Sequence, residues 1–214
     1  MRKTILAILL AFSCQFAAAQ ETAPLDGAIA ELQHEWAKAN YQTPEKQQEA
    51  AFKALADKAR QVSARYPGRA EPLVWEAIVL AGYAKARGGL GALDVVKSAR
   101  ELLQRAEKID PAALNGSVYT SLGSLYAKVP GWPLSFGDKQ KAREYLDRAL
   151  QLNPGGIDPN YFYGDLLLEQ GEYARAAEYL RKAQSAAPRP GRADADAGRR
   201  REIQEALDKA RGYL

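Results

Sequence analysis

The sequence predicts an all-α protein built as an array of similar helix pairs, and two observations predict it. The segments ARELLQRAEKIDP (Ala99 to Pro111), AREYLDRALQLNP (Ala142 to Pro154) and AAEYLRKAQSAAP (Ala176 to Pro188) share Ala, Leu four residues on, Ala three further and Pro five after that. Such i, i+4, i+7 spacing puts the three apolar residues on one helical stripe, with charges such as Arg100, Glu101, Arg105 and Glu107 turned mostly elsewhere. Alanine at two of the three stripe positions lets a neighbouring helix come close, and the proline stops each helix. The second observation is composition: 47% hydrophobic residues over 214 supply a core, and a net charge of +4 gives no footprint for nucleic acid.

The chain opens with MRKTILAILLAFSCQFAAAQ, in which Arg2 and Lys3 precede an apolar run that ends at Ala17-Ala18-Ala19. Charge, short apolar core and small-residue site in that order predict a secretory signal peptide over residues 1–19, cleaved after Ala19, and a periplasmic location. A buried N-terminal helix is the alternative reading. The run is broken by Ser13 and Gln15 and falls short of the roughly 20 residues that span a bilayer, so no stable membrane insertion is expected after cleavage. Cleavage also removes Cys14, the only cysteine, leaving no disulfide, thiolate nucleophile or cysteine metal ligand. Without Arg2 and Lys3, the 30 Lys+Arg fall to 28 against 26 Asp+Glu, a net of +2.

Helical repeats are expected over residues 20–190, in units of about 26–67, 72–111, 116–154 and 157–188. The first joins Ile29, Leu32 and Trp36 to a second helix with Leu55, Ala59 and Val62, closed by Pro67. Trp75, Ile78 and Tyr83 open the second unit, and Leu122, Gly123 and Tyr126 open the third. The fourth is the most regular, with Tyr163-Gly164 in its first helix, Gly171 in the turn, then Tyr173, Ala176, Leu180, Ala183 and Pro188. This fourth unit resembles a tetratricopeptide repeat. The resemblance implies a right-handed superhelix of antiparallel helix pairs, a solenoid whose first helices line a concave groove.

The matched positions Leu55, Ala99, Ala142 and Ala176 lie 44, 43 and 34 residues apart, and only the last spacing equals the family's period. Between Tyr126 and Ala142 stand sixteen residue steps where an ideal repeat leaves nine, so KVPGWPLSFGDKQKA is an insertion of about seven residues between two helices, with ARGGLGALDVVKSA its counterpart one unit earlier. Asp138 is placed to cap the helix that follows. Two roles are open to Trp132, Leu134 and Phe136: folding back over the edge of the helix stack, or forming an apolar rim that meets a ligand. Carried over from the family, the groove-facing positions are Glu76 and Tyr83, then Thr120 and Ser124, then Asp158, Tyr161 and Asp165. Acids stand where the family's clamp for peptide tails has cations and asparagines, which points to a basic or neutral protein or peptide partner.

Downstream, residues 191–214 read as a broken linker and a capping helix with Ile203, Ala206, Leu207 and Ala210 on its apolar stripe. The run Arg199 to Arg201 has Asp194, Asp196, Glu202 and Glu205 close enough in sequence to neutralise it. His34 is the single histidine, and Asp158 and Asp165 lie about two turns apart, so the sequence offers no nucleophile and base pair, no metal set, no cofactor motif and no enzyme. The expected function is a periplasmic interaction scaffold that takes a protein or peptide partner in the groove and on the apolar loops. The alternative is an accessory subunit of solute uptake, since exported helical-repeat proteins are similar in general architecture to the T-component of TRAP transport systems, whose partner is a periplasmic solute-binding protein.

Overall fold

A computed structural model describes residues 24–214. The expected cleavage site and the leader before it lie outside the described residues. Nine helices and no strand occur among them: α1 (residues 24–41), α2 (Glu45–Arg65), α3 (Ala70–Arg87), α4 (Ala92–Ile109), α5 (Ala113–Lys128), α6 (Lys139–Leu152), α7 (Ile157–Glu169), α8 (Tyr173–Gln184) and α9 (Ala193–Arg211). The chain is an all-α solenoid in which α3 packs on α4, α5 on α6 and α7 on α8, each an antiparallel hairpin. Contacts of α3 with α5, α5 with α7 and α7 with α9 make the odd helices one continuous inner layer.

The repeated stripe is what holds this stack together. Ala99, Leu103 and Ala106 on α4, Ala142, Leu146 and Ala149 on α6, and Ala176, Leu180 and Ala183 on α8 are all fully buried. Each leucine removed from water contributes about 1.5–3 kcal/mol, while the alanines set how closely the helices approach. In the first hairpin the same face is Leu55, Ala59 and Val62, also buried.

The surplus length of the middle repeats is spent in two ways. Between α5 and α6 it forms a turn over residues 129–138, whereas α7 and α8 are joined by 170–172. Between α3 and α4 the turn is only 88–91, because the extra residues extend two helices of 18 residues each. The loop expected there is thus mostly helix: alanine, leucine and lysine around its three glycines favour that state. Asp138 Oδ1 accepts from the amides of Gln140 and Lys141 at 2.9 and 3.1 Å, the cap its position called for. At the α4–α5 connection Leu114, Asn115 and Gly116 turn left-handed, with φ of 52°, 54° and 78°, so the regular turns of α5 begin after Gly116. No described helix is long and apolar enough to cross a membrane.

Candidate functional site: the concave face and its occupant

The inner layer does not end at α7. The apolar stripe of α9, with Ile203, Ala206 and Ala210 buried, seats it on α8 and α7 as the next inner helix. Its first turns then reach the opposite end of the array. Tyr41, on α1, donates from its hydroxyl to Glu202 Oε2 at 3.0 Å, and its ring lies so close to Gly198 that a Cβ there would stand 2.3 Å from ring carbons. His34 Nδ1 lies 2.7 Å from Asp194 Oδ2. On α3, the Trp75 ring has the Arg192 guanidinium 5.1 Å from its centre, and Trp36 meets Trp75 edge-on at 6.4 Å.

Charge drives this closure. Arg199 is buried, and its Nε donates to Asp158 Oδ1 at 2.9 Å while Nη1 donates to Glu202 Oε2 at 2.6 Å. Its guanidinium lies 4.4 Å from the ring centre of Tyr161 and 4.8 Å from that of Phe162. Arg189, in the linker, takes the second oxygen of Asp158 at 2.5 Å and binds Asp196 at 2.6 Å. Burial pushes the Asp158 carboxyl up, but the guanidinium groups of Arg199, Arg189 and Arg192 outweigh it and hold the group at about 2. Burial raises the Tyr161 phenol to about 12, against the pull of Arg199.

This arrangement corrects two sequence expectations. The acids at 158 and 165 do not present a free negative surface: Asp158 is taken by two arginines of the chain itself, and Asp165 pairs with Lys128 at 2.5 Å. The argument from those acids to a basic partner therefore falls. Nor are the arginines near 200 neutralised only by acids of their own helix. Arg199 reaches Asp158, 41 residues away; Arg200 donates to the carbonyls of Gln184 and Ala186; Arg201 lies 5.9 Å from the Tyr41 ring centre.

Of the other positions carried to the concave face, Thr120 is buried and donates to Gly116 O at 3.2 Å, Tyr83 is half-buried and accepts from Arg87, and Ser124 is half-buried. Glu76 is buried without a hydrogen-bond or ion-pair partner among the described residues. Where α1, α3 and α9 meet, Trp36 Nε1, Trp75 Nε1 and Arg192 Nε are buried with no acceptor among those residues. Repeat matching missed these donors, because indole and guanidinium groups from distant segments converge only once α9 turns inward.

A family model of the tetratricopeptide repeat matches residues 134–199. The match begins in the long turn and ends in α9, so the stretch that is similar to the tetratricopeptide repeat takes in α6, α7 and α8. Among solved structures, the crystal structure of a thermophilic tetratricopeptide protein of Thermus thermophilus is similar at 19% identity, with a TM-score of 0.42, over 74% of this chain and 91% of that one. No curated protein matches the sequence significantly.

At the hairpin turns of the array, the long turn splits the three apolar residues expected to act together. Phe136 folds inward, edge-on to Tyr126 at 5.3 Å and beneath the Arg100 guanidinium at 4.2 Å. Trp132 and Leu134 point out, at 90% and 60% exposure. The turn is clamped by its own backbone: Leu134 and Ser135 amides donate to Gly131 O, Gly137 to Pro130 O and Asp138 to Tyr126 O, all within 3.1 Å.

Proposed function

We propose that the protein is a periplasmic tetratricopeptide scaffold that binds an extended segment of a protein partner on its concave face, at the junction of α1, α3 and α9. The tetratricopeptide fold is that of a protein-interaction scaffold. Export follows from the leader that ends at Ala19. One observation carries the choice of surface: three buried N–H donors, on Trp36, Trp75 and Arg192, have no acceptor among the described residues. A buried donor left unmade costs about 1–3 kcal/mol, so a segment bringing backbone carbonyls or a carboxylate gains what the free chain forgoes. The segment enters at the start of α9, where the inner layer is held by side-chain contacts to α1, α3 and α7 in place of the repeated stripe.

Capture from periplasmic extract by immobilised residues 20–214 tests the reading. Trp75→Phe keeps an aromatic ring and removes one donor, and the expected result is about fivefold weaker retention of the partner, the worth of a hydrogen bond of ~1 kcal/mol, with the helical circular dichroism unchanged. Retention equal to that of the unaltered chain would take the junction out of the account.

A further inference from the structure

Every hairpin turn of the array falls on one edge of the molecule, and the end of α9 joins them there, since Tyr213 stacks on Tyr173 at 4.3 Å. Lys128 and Lys139 at the α5–α6 turn reach Glu169 at the α7–α8 turn, which ties neighbouring turns side by side. The large hydrophobic side chains that stand most exposed all lie on this edge: Leu90 at 78%, Trp132, Leu134, Tyr213 and Leu214. Among the described residues the opposite edge holds only Ile109 and Leu152, each less than half exposed. The two turns that carry Leu90, Trp132 and Leu134 are themselves basic: residues 85–97 and 128–141 hold six cations and two acids. Lys85, Arg87 and Lys141 have no carboxylate partner among the described residues.

From these features we infer that the hairpin-turn edge docks on a bilayer surface bearing anionic lipid. The apolar tips stand on three separate segments, Leu90 on one turn, Trp132 and Leu134 on another and Tyr213 and Leu214 after α9, with charged residues between them, and they stand out from the fold instead of lining a groove. A protein partner needs a continuous complementary patch, while a lipid interface accepts isolated apolar wedges at one level with cations beside them. Trp132 sits at the head of a turn whose backbone is clamped on itself and anchored by Phe136, so its ring is held outward without a cost in order on docking. Tryptophan at the headgroup level and lysine or arginine against anionic phosphates are the side chains such an interface takes. The contact is peripheral, because no described helix is long and apolar enough to span.

The test uses the full chain with sonicated vesicles of phosphatidylcholine and phosphatidylglycerol in equal parts, and with phosphatidylcholine alone. Co-sedimentation is expected with the anionic vesicles, falling as salt rises. Brominated acyl chains are expected to quench tryptophan emission, since Trp132 is the exposed member of three tryptophans, Trp36 and Trp75 being partly or fully buried. Replacing both apolar tips of the long turn, Trp132→Ser with Leu134→Ser, should weaken sedimentation about tenfold, and Leu90→Ser alone should weaken it less, with helical dichroism retained in both. Comparing variants within the full chain cancels any lipid affinity of its first residues. Equal binding by the double variant, or binding with unquenched emission, would assign the lipid affinity elsewhere and overturn the inference. So would the absence of sedimentation, including the case in which the same edge retains a protein instead.

Discussion

The α5–α6 and α7–α8 hairpins join their helices by the same contact and join their ends by very different turns. In the first, a Cβ on Gly123 would come 2.5 Å from Leu146 Cγ and 3.1 Å from Ala142 O; in the second, a Cβ on Gly164 would come 2.8 Å from Leu180 Cγ and 3.2 Å from Ala176 O. Helix against helix, the two are nearly superposable knuckles. Yet one turn runs over residues 129–138 and carries a tryptophan into solvent, and the other is 170–172 with Gly171 in the left-handed region at φ 76°. Packing between helices is therefore independent of the length of the turn, because loop closure grows only slowly with length and the stripe residues fix the approach. A repeat can acquire a new surface without a new core.

The hairpins also differ in what braces them, and the largest expected effect probes that difference. Among the described residues of the hairpins, only α7 lends a carboxylate, Asp158, to the arginines of α9 and its linker. Arg199→Ala leaves Asp158 and Glu202 without that guanidinium and should cost about 3–5 kcal/mol in urea unfolding. A loss below about 1 kcal/mol would mean that α9 rests on its apolar stripe alone. Next in size, Gly123→Val and Gly164→Val should each cost about 2–3 kcal/mol by overpacking the knuckle, and by the same amount as each other. A marked inequality would show that the longer turn gives its helices room to part. The smallest effect is set by acid. Asp158 is held at about 2 in the fold against an ordinary 3.8, so its contribution is present above about pH 4 and is lost as pH falls toward 2. Up to about 2 kcal/mol should disappear over that window, and Asp158→Asn should flatten this part of the pH profile. An unchanged profile in that variant would assign the acid response to other carboxylates.

The stripes Ala99-Leu103-Ala106, Ala142-Leu146-Ala149 and Ala176-Leu180-Ala183 made the helix pairs readable, since periodicity is a local property and each stripe carries its own evidence. Asp138 and the turn it ends were readable for the same reason. What the sequence hid lies in α9. Its arginines have acids within a turn or two, and a local reading pairs them there; Arg199 does bind Glu202 and Arg189 binds Asp196, but both also reach Asp158, 41 and 31 residues away. Those longer contacts depend on how α9 and its linker fold back onto α7, which no local pattern records. The groove positions carried from the family were legible as positions only. Nothing in them announced that the chain would fill part of that face with its own helix, or that the indoles of Trp36 and Trp75 would be left there without acceptors.

The meeting of α1 with α9 changes the statistics of opening. A linear array loses its terminal repeats first, each fraying against a single neighbour, and its amide exchange is graded from the ends toward the middle. Here Tyr41 and Glu202, and Trp75 and Arg192, fasten the first hairpins to the last helix. Neither end can fray without releasing the other, so the exchange profile should be level along the chain, and the array should melt as one unit where an open solenoid would unzip.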